Sequence, residues 1–143
     1  MGKLSSQNRF TCDACQAGQY ANLTLFECVD CEQGRYAPVA LTGGCFPCGP
    51  GLKTNKKAAA TQVTKCDAGT WSSGLSWNCT ACIPGQFSVS GQELCGSCTA
   101  GLYAPQQGSA SCTACASGTY AGASAATACL ACPAGSAQPA SGQ

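Results

Sequence analysis

Pairs of cysteines in the pattern CxxC recur along the chain, and this repetition constrains the fold more than any other sequence feature. The complete pairs begin at Cys12, Cys28, Cys45, Cys79, Cys95, Cys112 and Cys129. A further pair is half present, because Cys66 is a second cysteine and Val63 occupies the first position. Elsewhere 12 or 13 residues separate successive pairs. The repeating unit is therefore about 16 residues long, a length that predicts small units stacked on their neighbours.

A glycine stands three residues after every second cysteine, and in six units an aromatic residue follows two positions later. The turn and plug positions are Gly18 and Tyr20, Gly34 and Tyr36, Gly69 and Trp71, Gly85 and Phe87, Gly101 and Tyr103, and Gly118 and Tyr120. A small residue, Ala or Ser, comes directly after each aromatic. Glycine suits a turn that needs a positive φ, and an aromatic side chain has enough apolar area to cover a disulfide. We therefore expect each unit to be a short cross-linked hairpin with one aromatic plug.

Cross-links have to replace a conventional core in this chain. Leu, Ile, Val and Phe together number 18 of 143 residues, whereas cysteine alone numbers 15. So little apolar surface does not offset the cost of ordering the backbone, about 1–2 kcal/mol per residue. Only 9% of the residues are charged and the net charge is +1, which is atypical of disordered chains. The predicted fold is a small, disulfide-rich, elongated rod of stacked β-hairpin repeats, with little or no helix and no large hydrophobic core.

Two disulfide pairing schemes fit the spacing. In the nearest-neighbour scheme each second cysteine bonds to the next first cysteine, which leaves Cys12, Cys48 and Cys132 unpaired. In the crossed scheme the bonds are Cys12–Cys28, Cys15–Cys31, Cys48–Cys66, Cys79–Cys95, Cys82–Cys98, Cys112–Cys129 and Cys115–Cys132. The number of unpaired cysteines favours the crossed scheme, because it leaves only Cys45 unpaired and the nearest-neighbour scheme leaves three. Sequence alone, however, does not fix connectivity. An unpaired Cys45 would be half of an intermolecular bridge or the remnant of a lost disulfide.

Zinc is the main alternative role for these cysteines, because paired CxxC motifs with this separation also occur in zinc ribbons. Three features favour disulfides instead: the chain has no His, its residues after each pair are Gly-x-aromatic rather than basic, and Lys and Arg total only seven. A redox role of the thioredoxin type needs a βαβ context, which the sequence lacks. We therefore expect no metal and no cofactor other than covalent glycans.

Two N-glycosylation sequons begin at Asn22 and Asn78. Both are predicted to lie in a loop or at a unit boundary, and the sequon of Asn78 has a cysteine, Cys79, in the middle position. The segments Ser109 to Thr113 and Ser124 to Thr127 are rich in hydroxyl side chains. They are candidate O-glycan sites, with plain solvated loops as the alternative.

The repeats divide the chain into five segments. They are a lead-in at residues 1–11, repeats at 12–48, an irregular Lys-rich insertion at 49–65, repeats at 66–132 and a truncated last repeat at 133–143. The start lacks the apolar core of a signal peptide, and the last repeat stops just before the next cysteine is due. We therefore expect the chain to be a fragment or a mature segment of a longer protein.

Several function classes find no support in the composition. A chain without His, with six scattered acids, offers no general acid–base pair. A net charge of +1 gives no basis for binding nucleic acid, and no apolar run approaches the roughly 20 residues of a membrane span. We therefore expect that the protein is not an enzyme, binds no nucleic acid and does not span a membrane.

The unit C-x-x-C-x-x-G-x-[YFW]-[AS]-x(n)-C-x-x-C resembles the ephrin-receptor-like cysteine-rich repeat, a relative of tumour-necrosis-factor-receptor modules. The resemblance covers residues 12 to 135 and departs from the pattern at Lys53 and Val63. It implies an extracellular location, secreted or at the cell surface, in a receptor, an adhesion protein or a protist or algal surface protein. The uniform Ala-, Ser- and Gly-rich loops are similar to structural arrays such as the mastigoneme glycoproteins of algal flagella.

The function expected from these features is that of an extracellular structural glycoprotein segment that builds a filament or surface coat from copies of itself. Phe26, Phe46 and Trp77 lie outside the plug register and are candidates for contacts between chains, with packing inside one chain as the alternative. A receptor or adhesion module that binds a protein ligand is the second hypothesis. An intracellular zinc-binding CxxC array is the third.

Overall fold

The computed structural model describes residues 14–142, and these residues contain short strands and turns but no helix. The strands are β1 (Gln19–Asn22), β2 (Glu27–Asp30), β3 (Arg35–Tyr36), β4 (Leu41–Thr42), β5 (Phe46–Pro47), β6 (Leu52–Thr54), β7 (Val63–Lys65), β8 (Thr70–Trp71), β9 (Thr80–Ala81), β10 (Gln86–Phe87), β11 (Gly96–Ser97), β12 (Leu102–Tyr103), β13 (Thr113–Ala114), β14 (Thr119–Tyr120) and β15 (Leu130–Ala131). The predicted fold class, a disulfide-rich array of hairpin repeats, is confirmed.

Two-stranded ladders form the regular unit of the fold. Six are pairs of short strands, namely β3–β5, β6–β7, β8–β9, β10–β11, β12–β13 and β14–β15. In β10–β11 the antiparallel register places Gln86 opposite Ser97 and Phe87 opposite Gly96. The first hairpin is larger, because β1 pairs with β2 antiparallel and also with β4 parallel. Each first strand begins directly after the turn glycine, and every first strand except β6 contains the plug aromatic.

A tight turn precedes each first strand and explains the repeated glycine. Gly85 has φ +85°, and the amide of Gln86 donates to the carbonyl of Ile83 at 3.1 Å. A positive φ at the third residue of a hydrogen-bonded turn, after Pro84, is the type II pattern that glycine favours. A Cβ on Gly85 would also lie 2.2 Å from the carbonyl oxygen of Ala125. Glycine is therefore required here both by backbone conformation and by close approach of another loop.

The disulfides follow the nearest-neighbour scheme, so the crossed scheme is wrong. The bonds are Cys15–Cys28, Cys31–Cys45, Cys66–Cys79, Cys82–Cys95, Cys98–Cys112 and Cys115–Cys129. Cys45, predicted to be unpaired, bonds to Cys31, whereas Cys48 and Cys132, predicted to be bonded, are free. The remaining predicted partner, Cys12, lies outside the described residues.

A backbone hydrogen bond accounts for this connectivity. The amide of Cys98 donates to the carbonyl of Gly85 at 3.0 Å, which holds the second cysteine of that pair beside the preceding turn. Its sulfur then bonds to Cys112, the first cysteine of the next pair. The backbone of each second cysteine therefore contacts the repeat before it, while its sulfur closes the repeat after it.

The buried positions are cysteines and small residues. Most second cysteines, most residues at the position after the plug, and Ala60 form the most buried set: Cys31, Ala37, Cys48, Thr54, Ala60, Cys66, Ser72, Cys82, Ser88, Cys98, Ala104, Cys115 and Ala121. The plug aromatics, by contrast, are only half-buried. Phe87, for example, packs its ring within 3.4 Å of the position a Cβ on Gly96 would take. The aromatics therefore cover the sides of the hairpins, and the closest packing occurs at the small residue beside them.

The described residues divide into two compact units: residues 14–49, 53–64 and 74–78 in unit 1, and residues 50–52, 65–73 and 79–142 in unit 2. Unit 1 contains a small core of Cys31, Ala37 and Cys45, against which Tyr20 and Leu41 pack. In unit 2 a backbone ladder joins successive repeats. Gly69, Gly85 and Gly101 donate to the small residue of the next repeat, through the bonds Gly69 to Ser88, Gly85 to Ala104 and Gly101 to Ala121.

Candidate functional site

The repeat itself is the most regular chemical feature of the described residues, and its cysteines have little chemistry left to perform. Twelve cysteines are occupied in six disulfides. Within residues 14–142 no group of three or more His, Cys, Asp or Glu side chains is placed to hold a metal ion. A thiol must be reduced and deprotonated to bind zinc, so the bonded cysteines cannot serve as ligands. The repeated cysteines therefore act as cross-links.

Cys48 is a buried thiol whose disulfide partner is missing. Its side chain is 2% exposed, and its amide donates to the carbonyl of Gly34 at 2.8 Å, the same bond that the paired second cysteines make. The nearest-neighbour scheme assigns its partner to position 63, where the sequence has valine. Burial raises the pKa of the Cys48 thiol, and a backbone hydrogen bond from Ser76 lowers it by less. Cys48 is thus a protonated, inert remnant of the repeat.

The Lys-rich segment keeps the repeat geometry despite its altered sequence. Residues Leu52–Thr54 pair with Val63–Lys65, and Thr54 is buried where the other repeats have Ala or Ser. The Thr54 hydroxyl donates to the carbonyl of Lys56 at 2.7 Å, which satisfies the one polar atom placed there. The side chains of Lys56 and Lys57 are exposed. The segment is therefore one more hairpin of the array, with basic side chains on its loop.

The two sequons differ in local structure. The side-chain oxygen of Asn22 accepts hydrogen bonds from the amides of Thr24, at 2.9 Å, and Leu25, at 3.1 Å. Its side-chain nitrogen, the atom that carries an N-glycan, has no acceptor among residues 14–142. Asn78 is exposed and directly precedes Cys79, which is bonded to Cys66. Asn22, the last residue of strand β1, is only half-buried whereas Asn78 is exposed, and glycosylation of each stays a prediction.

Large apolar side chains lie on the surface of both units. Phe26, Phe46 and Trp77, the residues predicted to make contacts between chains, are 60%, 48% and 40% exposed. Phe46 also contacts the ring of Tyr36, with 5.8 Å between centroids. Phe26 adopts φ +54° beside Leu25, which is 60% exposed, at the tip of the β1–β2 hairpin. Apolar groups are thus presented to solvent at several places.

An open groove in unit 2 gathers several of these apolar groups. It has a volume of about 320 Å³ and is lined by Trp71, Thr80, Ala81, Ile83, Gln86, Leu94 and Cys95. Ile83 and Leu94 are exposed, whereas Trp71 is half-buried. The polar side-chain groups of its lining residues are the amide of Gln86, the hydroxyl of Thr80 and the indole N–H of Trp71. Such a groove suits an apolar surface of a partner molecule and contains no group for catalysis.

A comparison with models of protein families agrees with the repeat structure described above. A family model described as "Tyrosine-protein kinase ephrin type A/B receptor-like" matches residues 18–66, 85–128 and 106–143. The chain belongs to this ephrin-receptor-like family. No individual curated protein matches it. Repeats of this family are a non-catalytic type of module, and together with the six disulfides they indicate an extracellular module. Within residues 14–142, no helix is long and apolar enough to cross a membrane.

Sequence reasoning missed two features of the repeat. The small residue after each aromatic was visible as a pattern, and its role as the buried centre of the hairpin follows only from the structure. The second feature is a loop residue near the end of the repeat. Loop residues Ala59, Leu75 and Ala125 have φ between +50° and +57°, and their carbonyl groups lie against the turns of Gly18, Gly34 and Gly85. No single residue type marks this position in the sequence.

Proposed function

We propose that the chain is a segment of an extracellular structural glycoprotein, whose disulfide-stapled repeats build a filament or a surface coat from copies of itself. The observation that carries this proposal is the repetition of one cross-linked unit that buries cystines and small residues in place of a large core. Each disulfide closes a loop with a sequence separation of 13 or 14 residues. In the chain-entropy model such a bond stabilises the fold by about 3 kcal/mol.

The distribution of side chains supports a structural role over a chemical one. The buried positions hold cystines, Ala, Ser and Thr, and no buried side-chain nitrogen or oxygen in residues 14–142 lacks a hydrogen-bond partner. A fully satisfied, small-residue interior gives rigidity and leaves no polar group directed at a substrate. The exposed apolar residues Phe26, Phe46 and Trp77 supply surface for contacts between copies.

Accessible sequons support the glycoprotein part of the proposal. Asn78 is exposed and Asn22 is half-buried, and sugars at these positions would add solubility to a surface with several exposed apolar groups. Glycans would also shield the exposed loops from proteases, which cut preferentially at mobile, accessible segments.

The test is to produce the chain in a secretory eukaryotic host and examine its mass and its assembly together. The proposal predicts glycan mass at Asn22, Asn78 or both, and concentration-dependent growth of elongated or sheet-like particles by light scattering and electron microscopy. A monomer at all concentrations, with both asparagines unmodified, would contradict it. The double variant N22Q/N78Q is the control, because it removes the sugars without touching the disulfides.

The groove of unit 2 favours a receptor or adhesion module as the second candidate. Its wall of Trp71, Ile83 and Leu94 is a discrete apolar surface of the kind that anchors a protein ligand. Replacing Leu94 with Ser should then abolish binding to one specific protein partner while assembly is unchanged. Loss of assembly in the same variant would instead assign the groove to contacts between copies. The zinc alternative loses support, because the six disulfides occupy the cysteines that zinc would need.

A further inference from the structure

The tip of the first hairpin presents three large apolar side chains to solvent. The turn 23–26 joins strands β1 and β2. Within it Leu23, Leu25 and Phe26 are 70%, 60% and 60% exposed. Small and polar residues dominate turns, because a turn side chain gains little from burial in the protein. Three neighbouring apolar groups at one tip therefore indicate a contact with a group outside the hairpin.

Phe26 adopts a backbone conformation that its bulky side chain disfavours. Its φ is +54°, in a region where glycine or asparagine fits with less strain. Ala59, Leu75 and Ala125 also have a positive φ, and their carbonyl groups lie against turn glycines. Phe26, by contrast, is not among the nearest neighbours of any turn glycine in residues 14–142, and its side chain is mostly exposed. Packing within the described residues therefore does not account for a phenylalanine at this position.

The sequon Asn22-Leu23-Thr24 lies at the same tip. The side-chain oxygen of Asn22 accepts hydrogen bonds from the amides of Thr24, at 2.9 Å, and Leu25, at 3.1 Å. The side-chain nitrogen, which is the atom that an N-glycan modifies, is bonded to the same carbon as this oxygen. A sugar on Asn22 would therefore begin beside the turn that presents the three apolar side chains.

We propose that this tip is a sugar-contact surface for the chain's own N-glycan, and that the first N-acetylglucosamine on Asn22 packs its apolar face against the ring of Phe26. Leu23 and Leu25 flank the contact. The inference rests on the glycoprotein part of the function proposed above and gives that glycan a defined position. One face of a pyranose ring carries C–H groups, which fit the negatively polarised face of an aromatic ring. Phe26 is thereby assigned to the glycan, whereas Phe46 and Trp77 remain for contacts between copies.

Tethering and charge favour the sugar over other occupants of the tip. A group bonded to Asn22 stays at the tip at a high effective concentration, whereas a free protein or a lipid surface has to bind from solution. The charged residues of the segment 19–30 are Glu27 and Asp30, and the segment contains no Lys or Arg. This acidic hairpin would be repelled by an anionic membrane, whereas a neutral sugar is not.

Attachment of the sugar leaves the turn intact. A secretory host supplies the sugar on a lipid-linked diphosphate. A bond forms between the anomeric carbon of the sugar and the side-chain nitrogen of Asn22, the bond from that carbon to the diphosphate oxygen breaks, and the nitrogen loses one proton. The product is still an amide, so its oxygen keeps the two hydrogen bonds to the turn.

The test uses the chain secreted from a eukaryotic host, first as the wild type and then in an N78Q background, in which Asn22 has the remaining sequon. Mass spectrometry establishes which asparagines carry sugar. F26L keeps an apolar side chain but removes the ring. In NMR spectra of isotope-labelled sugar, the ring of Phe26 should shift the C–H protons of the first N-acetylglucosamine upfield. This shift should vanish in F26L.

The second measurement is stability in urea without reductant. T24A removes the sequon but keeps Asn22 and both of its hydrogen bonds, because these come from backbone amides. The sugar should raise the ratio of folded to unfolded chain several-fold when Phe26 is present, and by much less when T24A is compared in the F26L background. L94A is the matched control, because Leu94 is 62% exposed and lies outside the tip. It should leave the effect of the sugar unchanged.

Each contrary outcome identifies which proposal fails. A sugar on Asn22 with no ring-induced shift and no coupling to Phe26 would refute the contact while the glycoprotein function stands. Sugar on Asn78 but not on Asn22 in the wild type would have the same meaning. Absence of sugar from both asparagines would refute the glycoprotein function as well. If F26L weakens assembly and leaves the sugar protons where they were, Phe26 belongs to contacts between copies and the inference is wrong.

Discussion

Substitution of Val63 by cysteine should restore a disulfide that the array has lost. Cys48 keeps the burial and the backbone hydrogen bond of a paired second cysteine. Val63 stands three residues before Cys66, in the register of every first cysteine, and it begins the strand Val63–Lys65. Residues 48 and 63 are 15 positions apart in the sequence, close to the separations of 13 and 14 in the existing bonds. V63C is therefore expected to bond to Cys48 without rearrangement of the hairpin.

The gain in stability can be worked from these positions. Closing a loop of this size stabilises by about 3 kcal/mol in the chain-entropy model. The valine side chain is half-buried, and the loss of part of its apolar area costs about 1 kcal/mol. The net increase in the free energy of unfolding should therefore be about 2 kcal/mol.

Urea denaturation without reductant, followed by tryptophan fluorescence, measures this increase. V63S is the matched control, because serine has nearly the size of cysteine but forms no bond, and it should be less stable than the wild type. Cys48 should become resistant to alkylation after unfolding in V63C but not in V63S. If Cys48 of V63C is still alkylated, or if V63C is no more stable than V63S, the assignment of position 63 as the missing partner is refuted.

Three further predictions follow from the turns and the thiols. G85A should lower the free energy of unfolding by at least 2 kcal/mol, because its Cβ meets the carbonyl of Ala125 at φ +85°; G43A, at φ +83° in open space, should lower it by only about 1 kcal/mol in the same urea titration. C45S should lower the free energy of unfolding by about 3 kcal/mol, because it breaks the bond to Cys31. C48S should leave the free energy of unfolding nearly unchanged. The crossed pairing predicts the reverse order. Burial raises the pKa of the Cys48 thiol. The stability that the protonated thiol contributes to the folded chain is therefore fully present below the thiol pKa of the unfolded chain, and it is lost as pH rises above about 9. A steeper loss of stability from pH 8 to 10 in the wild type than in C48S would verify this, and identical pH profiles would contradict it.

Local features of this fold were predictable from the sequence because local chemistry determines them. A glycine at a fixed distance from each cysteine, followed by an aromatic, predicts a turn and a strand without knowledge of distant residues, and Gly85 with Phe87 behaves as expected. The absence of a large core was predictable from composition in the same way, and the most buried positions hold cysteines and small residues.

The disulfide connectivity was not predictable, because it depends on which hairpin each sulfur closes. Counting unpaired cysteines favoured the crossed scheme, since one orphan is fewer than three. The count failed because Val63 stands where the nearest-neighbour scheme needs a partner for Cys48, so that Cys48 is a free thiol. The deciding interaction is the backbone bond from a second cysteine to the preceding turn, such as Cys98 to Gly85, and no residue pattern records it.

Contacts between non-adjacent repeats were likewise not predictable from the sequence. The carbonyl of Ala125 lies against Gly85, 40 residues earlier in the sequence, and neither residue type identifies the other. The same holds for the groove beside Trp71, whose walls come from the strands β8, β9 and β10, the turn at Ile83 and the loop at Leu94. Function was predictable only as far as the family, because fold alone does not specify a partner.

The central claim is that each repeat is closed by a bond from a second cysteine to the next first cysteine. Peptide mapping without reduction, after free thiols are alkylated in denaturant, tests it directly. The account predicts a cross-link between Cys82 and Cys95, another between Cys98 and Cys112, and an alkyl group on Cys48. A cross-link between Cys82 and Cys98, or alkylation of all these cysteines, would contradict it.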